Sequence, residues 1–314
     1  QLNRSQRELE REMTKLFRAM YKSAADELAK GTHSIHAQLA QELFDPKQWI
    51  DRLKTTAGKV IIRAMADGAA TEMALYDLLV GKRWAGGRKD IEQMEFEEAL
   101  TEMAVELEIP DEVLGHMRAE MREIFTQPYW MEILNTTSLD IQKVIDGGLT
   151  GGLSVNAVER GIRDKLVGGR HPAVRANNMA RTEMTGALNA GHHSTMRHLQ
   201  SQGLVKGKEW LSVCGNTTRD HHCSLSGTQV KVDELFAIEN EQAPYPGHSL
   251  LTAQNRCNCQ CTTLSVTILE GLPEGQEPAI PAVTPQDQVP ASGAAVNPWD
   301  NISDSTMKRF PPVN

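Results

Sequence analysis

Apolar residues recur at spacings of three and four through positions 1–30: Leu9, Met13, Leu16, Phe17, Met20 and Tyr21 share one face, and charged side chains fill the other. This pattern predicts a helix. Residues 34–80 continue in the same style with Ile35, Leu39, Leu43 and Phe44, break at Asp45-Pro46, and resume with Trp49, Leu53, Val60, Ile61 and Met65. Gly81-Lys82-Arg83-Trp84-Ala85-Gly86-Gly87-Arg88 reads as a loop. An acidic helix over 90–107 and a shorter one over 111–125 flank Ile109-Pro110-Asp111. Thr137-Ser138-Leu139-Asp140 fits a helix start, with a hydroxyl to cap and a carboxylate in the first turn, and Gly147-Gly148 fits its end. Ser154 is placed to cap a second helix striped by Val155, Val158, Ile162 and Leu166 and closed by Gly168-Gly169. A third runs from about Pro172 to Gln200, with Gly203 beyond it.

After Gly203 the period changes. Lys208–Val213, Thr228–Val232 and Cys261–Ile268 read as strands rich in alternating or β-branched positions. From Gly271 the chain is rich in Pro, Ala, Gln and Glu, which predicts a flexible tail over 269–314. The fold class is therefore α+β and mainly α-helical: an N-terminal helical region (1–135), a three-helix segment followed by a small Cys/His-rich β unit (136–268), and the tail.

Composition refines this picture modestly. The 314 residues are 40% hydrophobic, 24% charged and only 5% aromatic, with 13 Met, as expected of a helical globular protein. The net charge of −8 argues against a free-standing nucleic-acid binder, which needs a basic face. No run approaches the ~20 apolar residues that span a bilayer, and Gln1–Glu8 is polar with no apolar signal core. Synthesis in the cytoplasm is expected, with thiols reduced or metal-bound rather than paired.

The candidate chemistry is confined to one segment. All five cysteines lie between Cys214 and Cys261, together with His221 and His222. Thiolate and imidazole are the natural ligands of a closed tetrahedral zinc site. Cys259 and Cys261 are candidate ligands, and His222, Cys223 and Cys214 are candidates to complete the set. Shared ligation by Cys259 and Cys261 is expected to need a turn at Cys259-Gln260-Cys261. The bland alternative is a set of small buried thiols in a tight loop. Asp220-His221-His222-Cys223 matches by letter a tetrapeptide of membrane palmitoyltransferases, but the chain has no membrane span to go with it. A nuclease would use the His pair with Asn255, Asn258 or His248; a cysteine nucleophile would use His222 as base. Arg181 and Glu183 are two residues apart on a helix and face different sides, which suits anchors for the β unit better than a catalytic pair. His192, His193 and His198 are expected to be solvated.

The order of these features resembles the Mu F-like family of bacteriophage minor head proteins, also called head morphogenesis proteins, over roughly 137–266. The pieces are Ile141-Gln142-Lys143-Val144-Ile145 with Gly147-Gly148, Gly152-Leu153-Ser154-Val155, Ala180-Arg181-Thr182-Glu183, Lys208-Glu209-Trp210-Leu211, Thr218-Arg219 with His222, Leu225-Ser226-Gly227, Tyr245-Pro246-Gly247 and Asn258-Cys259-Gln260-Cys261. The resemblance implies a non-enzymatic virion component assembled in the bacterial cytoplasm. Its implied partners are the portal protein, the major capsid or scaffold protein and packaged DNA, with no membrane partner. The N-terminal helices would dock through stripes such as Leu9, Met13, Leu16 and Met20, although most residues of such stripes are expected to be internal core. Many members have two cysteines at the places of Arg219 and His222. The matched zinc positions here are therefore His222, Cys259 and Cys261, with Cys223 as the fourth or Cys214 in its place. Arg181, Glu183, Trp210, Arg219, Gly227, Pro246 and Asn258 are the matched structural positions. The rival readings are a nuclease or transferase effector acting after injection, and a zinc-dependent nucleic-acid-binding module.

Overall fold

The computed structural model describes residues 2–79, 96–126 and 128–268. The expected loop at 81–88, the start of the helix expected over 90–107 and the tail from 269 lie outside the described residues.

Eight main helices come first: α1 (Leu2–Ala29), α2 (Leu39–Leu43), α3 (Ile50–Leu79), α4 (Phe96–Glu106), α5 (Asp111–Thr126), α6 (Tyr129–Thr150), α7 (Val155–Ile162) and α8 (His171–Ser201). The β unit follows, with β1 (Val205–Leu211), β2 (Gln229–Val230), β3 (Phe236–Ile238), β4 (Glu241–Ala243) and β5 (Thr262–Thr267). Two short helices, α9 (Asp220–Ser224) and α10 (Ala253–Arg256), sit between strands. The class is α+β and mainly α-helical.

The apolar period of α1 does what its spacing predicts. Leu9, Met13, Phe17, Met20, Tyr21 and Leu28 are fully buried in one continuous helical core with Leu53, Ile62, Met65, Leu100, Met117, Leu134 and Ile141. Leu9, Met13, Leu16 and Met20 are therefore spent inside the protein and are not a docking stripe.

The second helix of the expected series differs from its sequence signals. Thr137–Asp140 does not start a helix; α6 begins eight residues earlier at Tyr129. The hydroxyl and carboxylate serve tertiary contacts instead of a cap. Arg175 Nη1 donates to Thr137 Oγ1 at 2.7 Å. Asp140 accepts from the Tyr21 hydroxyl at 2.7 Å and lies 2.8 Å from His171 Nε2. Nor do Gly147-Gly148 stop α6, which continues to Thr150. Gly148 is there for proximity: a Cβ would fall 2.3 Å from Val158 Cγ2 on α7. Ser154 does cap α7, its Oγ accepting from the Ala157 amide. A π-helical turn (Arg163–Val167) follows α7.

The strands are shorter or shifted relative to expectation. β1 spans Val205–Leu211 rather than Lys208–Val213, and β2 has two residues. β1 is central in an antiparallel sheet of order β2-β1-β5, with Trp210 opposite Thr263. β3 and β4 pair as a separate antiparallel hairpin.

Helix α8 is the spine of the molecule. Its 31 residues span about 46 Å, and it packs on α1, α3, α5, β1 and β5. It is buried nearly all round despite a polar sequence: Thr182, Glu183, Asn189, His193, Ser194 and Thr195 are all inside. The expectation that His192, His193 and His198 are solvated is wrong; they are 9%, 6% and 8% exposed. Two layers cover α8, the helical body on one side and the β unit on the other, so neither face is left for water.

Candidate functional site

The imidazole of His222 meets two thiols. Its Nδ1 is 3.6 Å from Cys259 Sγ and 3.5 Å from Cys261 Sγ. All three residues are buried, and their donor atoms lie within 4.8 Å of one another. His222 sits on the one-turn helix α9, where its ring packs edge-on against Trp210 with centroids 5.6 Å apart. Trp210 is fully buried and also packs edge-on against Phe236, so the aromatic core of the β unit fixes the imidazole's direction. His222 Nε2 has no hydrogen-bond partner among the described residues; ring packing and the two thiol contacts at Nδ1 orient it.

The thiols reach the imidazole from the chain just before β5. The turn lies ahead of them, at Cys257-Asn258, where Asn258 adopts φ 57°. The expected turn between the two thiols is not needed. Residues two apart on an extended chain return to the same side, and no turn falls at 259–261. Asn258 donates its amide to Thr182 Oγ1 on α8 at 3.0 Å. Arg219 Nη2 donates to the Cys257 carbonyl at 2.7 Å. A guanidinium thus braces this turn at the position where many proteins of the resembled family have a thiol.

The two thiols differ in acidity, Cys259 being the harder to deprotonate. The hydrogen bond from Cys259, aided by His222 and the Ser212 hydroxyl, pulls Cys261 below the usual thiol range against the effect of burial. The hydrogen bond with Cys261, together with burial, pushes Cys259 up. Ser212 Oγ lies 3.4 Å from Cys261 Sγ.

This donor set fits a tetrahedral ion. With Zn–S near 2.3 Å and Zn–N near 2.0–2.1 Å, a tetrahedron has a sulfur-to-nitrogen edge of about 3.6 Å, close to both separations found here. The expected fourth ligand is not in place. Cys223 and its alternative, Cys214, are joined to each other by a disulfide. The expectation that the thiols are unpaired is corrected accordingly: only Cys257, Cys259 and Cys261 are free.

The other matched positions surround this cluster and tie it to α8. Glu183 is 3% exposed and accepts from Arg256 Nη2 at 3.1 and 3.0 Å. The same guanidinium donates to the Gly247 carbonyl at 3.2 Å and lies over the Tyr129 ring at 4.2 Å. Burial works against the charge on Arg256, but Glu183 together with Tyr129, Cys257 and Tyr245 outweighs it and raises its pKa. Pro246 offers its carbonyl to Asn189 Nδ2 at 3.0 Å, and Gly227 donates to the Trp210 carbonyl at 2.8 Å. Arg181 stands apart from the cluster, its Nε without a hydrogen-bond partner among the described residues.

Sequence reasoning missed Arg256, Asn189 and Ser212. Asn189 uses its whole amide: Nδ2 also donates to the Cys261 carbonyl at 3.0 Å, and Oδ1 accepts from Thr262 Oγ1 at 2.8 Å and the Thr263 amide at 3.3 Å. Only Arg256 carried a signal, because a buried Glu183 demands a cation.

A second group of potential ligands, Glu120, Glu123 and His248, lies where α5 meets the loop before α10. His248 Nδ1 accepts from the Leu250 amide at 3.1 Å. That places its proton on Nε2, facing Glu123 at 3.5 Å and Glu120 at 3.9 Å. A protonated nitrogen offers no lone pair, so this group works as a donor–acceptor clasp. Tyr245 donates to Glu120 at 2.6 Å, and Ser249 to Glu123 at 2.8 Å. Burial pushes the Glu120 carboxyl up, but the hydrogen bond from Tyr245 and the nearby His193 and His248 rings outweigh it and leave the group below its usual range. The crevice beside it, between Glu183, Tyr245, His248 and Arg256, encloses about 10 Å³, room for one water at most. His221 and Asn255, two of the groups a nuclease would use, are bonded to each other at 2.7 Å.

No described helix is long and apolar enough to cross a membrane. Among known proteins, "Uncharacterized protein YqbB" of Bacillus subtilis (strain 168) is 32% identical over 151 residues, which cover 46% of this chain and 47% of that protein. "NAD(+)--arginine ADP-ribosyltransferase EFV" of Enterococcus faecalis (strain ATCC 700802 / V583) is 30% identical over 119 residues, which cover 38% of this chain and 24% of that protein. The chain thus spans less than half the length of either curated relative. No solved structure matches. Residues 139–264 match the family described as Phage Mu protein F like protein, spanning α6 from Leu139, α7, α8, β1 to β4 and the first half of β5. The segment that contains the thiol–imidazole cluster is therefore similar to the Phage Mu protein F like family.

Proposed function

We propose that this chain is a structural, non-catalytic component of a phage head, and that His222, Cys259 and Cys261 hold a zinc ion that cements the β unit. The observation carrying this reading is the position of the cluster inside the matched domain. It is buried, backed by Trp210 and anchored to α8 through Asn258, so an ion there would cross-link α9 to the segment that leads into β5 rather than meet a substrate. Zinc bound in this way supplies folding free energy directly. The portal protein, with the major capsid or scaffold protein, is the proposed partner in assembly, and packaged DNA is a further contact in the filled head. The transferase activity in the Enterococcus relative's name belongs to that protein, of which only 24% is matched here.

Co-expression with the portal and major capsid proteins of the same phage tests the assembly role. Co-purification is expected, and it should weaken when His222→Ala unseats the β unit. Normal, filled heads from a phage deleted for this gene, with no co-purification, would sink the reading. Metal analysis tests the site: the protein purified under reducing conditions should carry zinc, and Cys259→Ser with Cys261→Ser should remove it.

A further inference from the structure

The three-donor cluster and the Cys214–Cys223 disulfide are parts of one local structure. Cys223 directly follows His222 on α9. Cys214 lies two residues beyond Ser212, the residue whose hydroxyl touches Cys261 Sγ. The Cys214 sulfur is 3.8 Å from the Ser212 carbonyl oxygen. Gly215 donates its amide to the Val213 carbonyl at 2.7 Å, a one-residue turn with Cys214 at its corner, so Cys214 is carried on a tight loop directly beside Ser212. Cys223 is one step from His222 on a helical turn and is rotated about 100° away from it. Among the described residues no fourth group joins the two sulfurs and the imidazole, whereas structural zinc sites close with four.

We propose that Cys214 is the fourth zinc ligand and that its disulfide with Cys223 holds it out of the site, making zinc affinity depend on thiol redox state. This rests on the zinc reading of His222, Cys259 and Cys261. The step is a two-electron reduction by a dithiol. The Cys214–Cys223 bond breaks, two thiols form, and the reductant leaves as its own disulfide. Cys214 then binds zinc as thiolate, its proton passing to solvent. Cys214 and the loop that follows it are exposed, so the bond is open to a soluble reductant. Oxidised protein presents three ligands and binds weakly; reduced protein presents four and locks the β unit.

The test is zinc affinity of the full chain by chelator competition, oxidised or reduced with a trialkylphosphine, which takes up the oxygen of water and releases both thiols. Altering an outer-shell partner alone changes metal affinity about 10–100-fold, so gaining a direct thiolate should tighten binding by more than about tenfold. Two variants separate ligand from disulfide, because both lack the bond. Cys223→Ser frees Cys214 permanently and should bind tightly with or without phosphine. Cys214→Ser should bind weakly in both conditions. Circular dichroism confirms that each remains helical. Equal affinity of the two variants, or wild-type affinity indifferent to phosphine while His222→Ala abolishes binding, overturns the gate and leaves the zinc site standing. Failure of every form to retain zinc overturns both.

Discussion

The helical body and the β unit are held together by different physics. In the body one apolar core runs through α1 to α8, and a long list of Leu, Met, Ile and Ala side chains is wholly excluded from water. The β unit has a small core of its own, built on Trp210, Phe236, Ile238, Ala243 and Leu251, and the two cluster thiols are part of it. A unit with so little apolar surface to bury needs other restraints. It has a disulfide, a thiol–imidazole cluster, a buried ion pair to α8 and a fully used Asn189 amide. The lesson is that polar residues on α8 are the mortar between two regions, while apolar residues are the mortar within one.

The largest expected effect comes from breaking that joint. Arg256→Ala leaves Glu183 buried without its cation, which should cost about 3–5 kcal/mol in urea unfolding. Replacing both with apolar residues of similar size, Glu183→Leu with Arg256→Met, should recover much of the loss. If the single variant unfolds like wild type, the joint is not what holds the β unit.

A pH series probes the body side of the same boundary. Glu72 on α3 is 3% exposed, its Oε1 has no hydrogen-bond partner among the described residues, and burial raises its pKa to about 7. The folded state keeps its proton where the unfolded chain has lost it. This contribution is therefore intact below the unfolded value near 4.5 and is lost as pH rises through about 7. Glu72→Gln should remove the slope, matching wild type near pH 5 and exceeding it by up to about 3 kcal/mol at pH 8. An unchanged midpoint difference at the two pH values would contradict this.

How much of this was legible follows from where the information sits. The stripe of α1 and the Ser154 cap could be read from spacing because each is local, whereas the grouping of His222 with Cys259 and Cys261, which lie 37 and 39 residues away, rests on the family resemblance. The start of α6 could not, since Thr137 and Asp140 look like a cap until Arg175, Tyr21 and His171 claim them from distant parts of the chain. The buried histidines of α8 were misjudged for a related reason: a polar helix looks solvated unless its neighbours on both sides are known. His192 shows the consequence, with burial holding its pKa down at about 4 so that it stays neutral. The disulfide was missed because the expectation about redox compartment outranked the proximity of Cys214 and Cys223.

Gly191 separates the two regions cleanly. A Cβ there would lie 1.9 Å from the Met65 carbonyl oxygen and 2.7 Å from the Ala69 amide of α3. Gly191→Ala should force α3 and α8 apart at a cost of about 1–3 kcal/mol. The thiol cluster draws on the opposite side of α8, so zinc retention should stay at the wild-type level. Loss of zinc along with the stability would show that the body and the β unit fold as one cooperative block.

The smallest effect tests the turn that presents the thiols. Asn258 holds φ 57°, a left-handed conformation costing most side chains about 1–2 kcal/mol, which Asn and Gly tolerate. Its amide also reaches Thr182 on α8, so the turn fixes both the backbone path into Cys259 and the distance of β5 from the spine. Asn258→Gly keeps the conformation and the amide and should leave both stability and zinc affinity almost unchanged. Asn258→Ala keeps the amide but resists the conformation. It should cost about 1 kcal/mol and weaken zinc binding, because the turn no longer delivers Cys259 and Cys261 to His222 without strain. The contrast between Ala and Gly isolates backbone shape from side-chain chemistry. If Ala binds zinc as Gly does, the cluster is set by the strands and the aromatic core, not by the turn that precedes it.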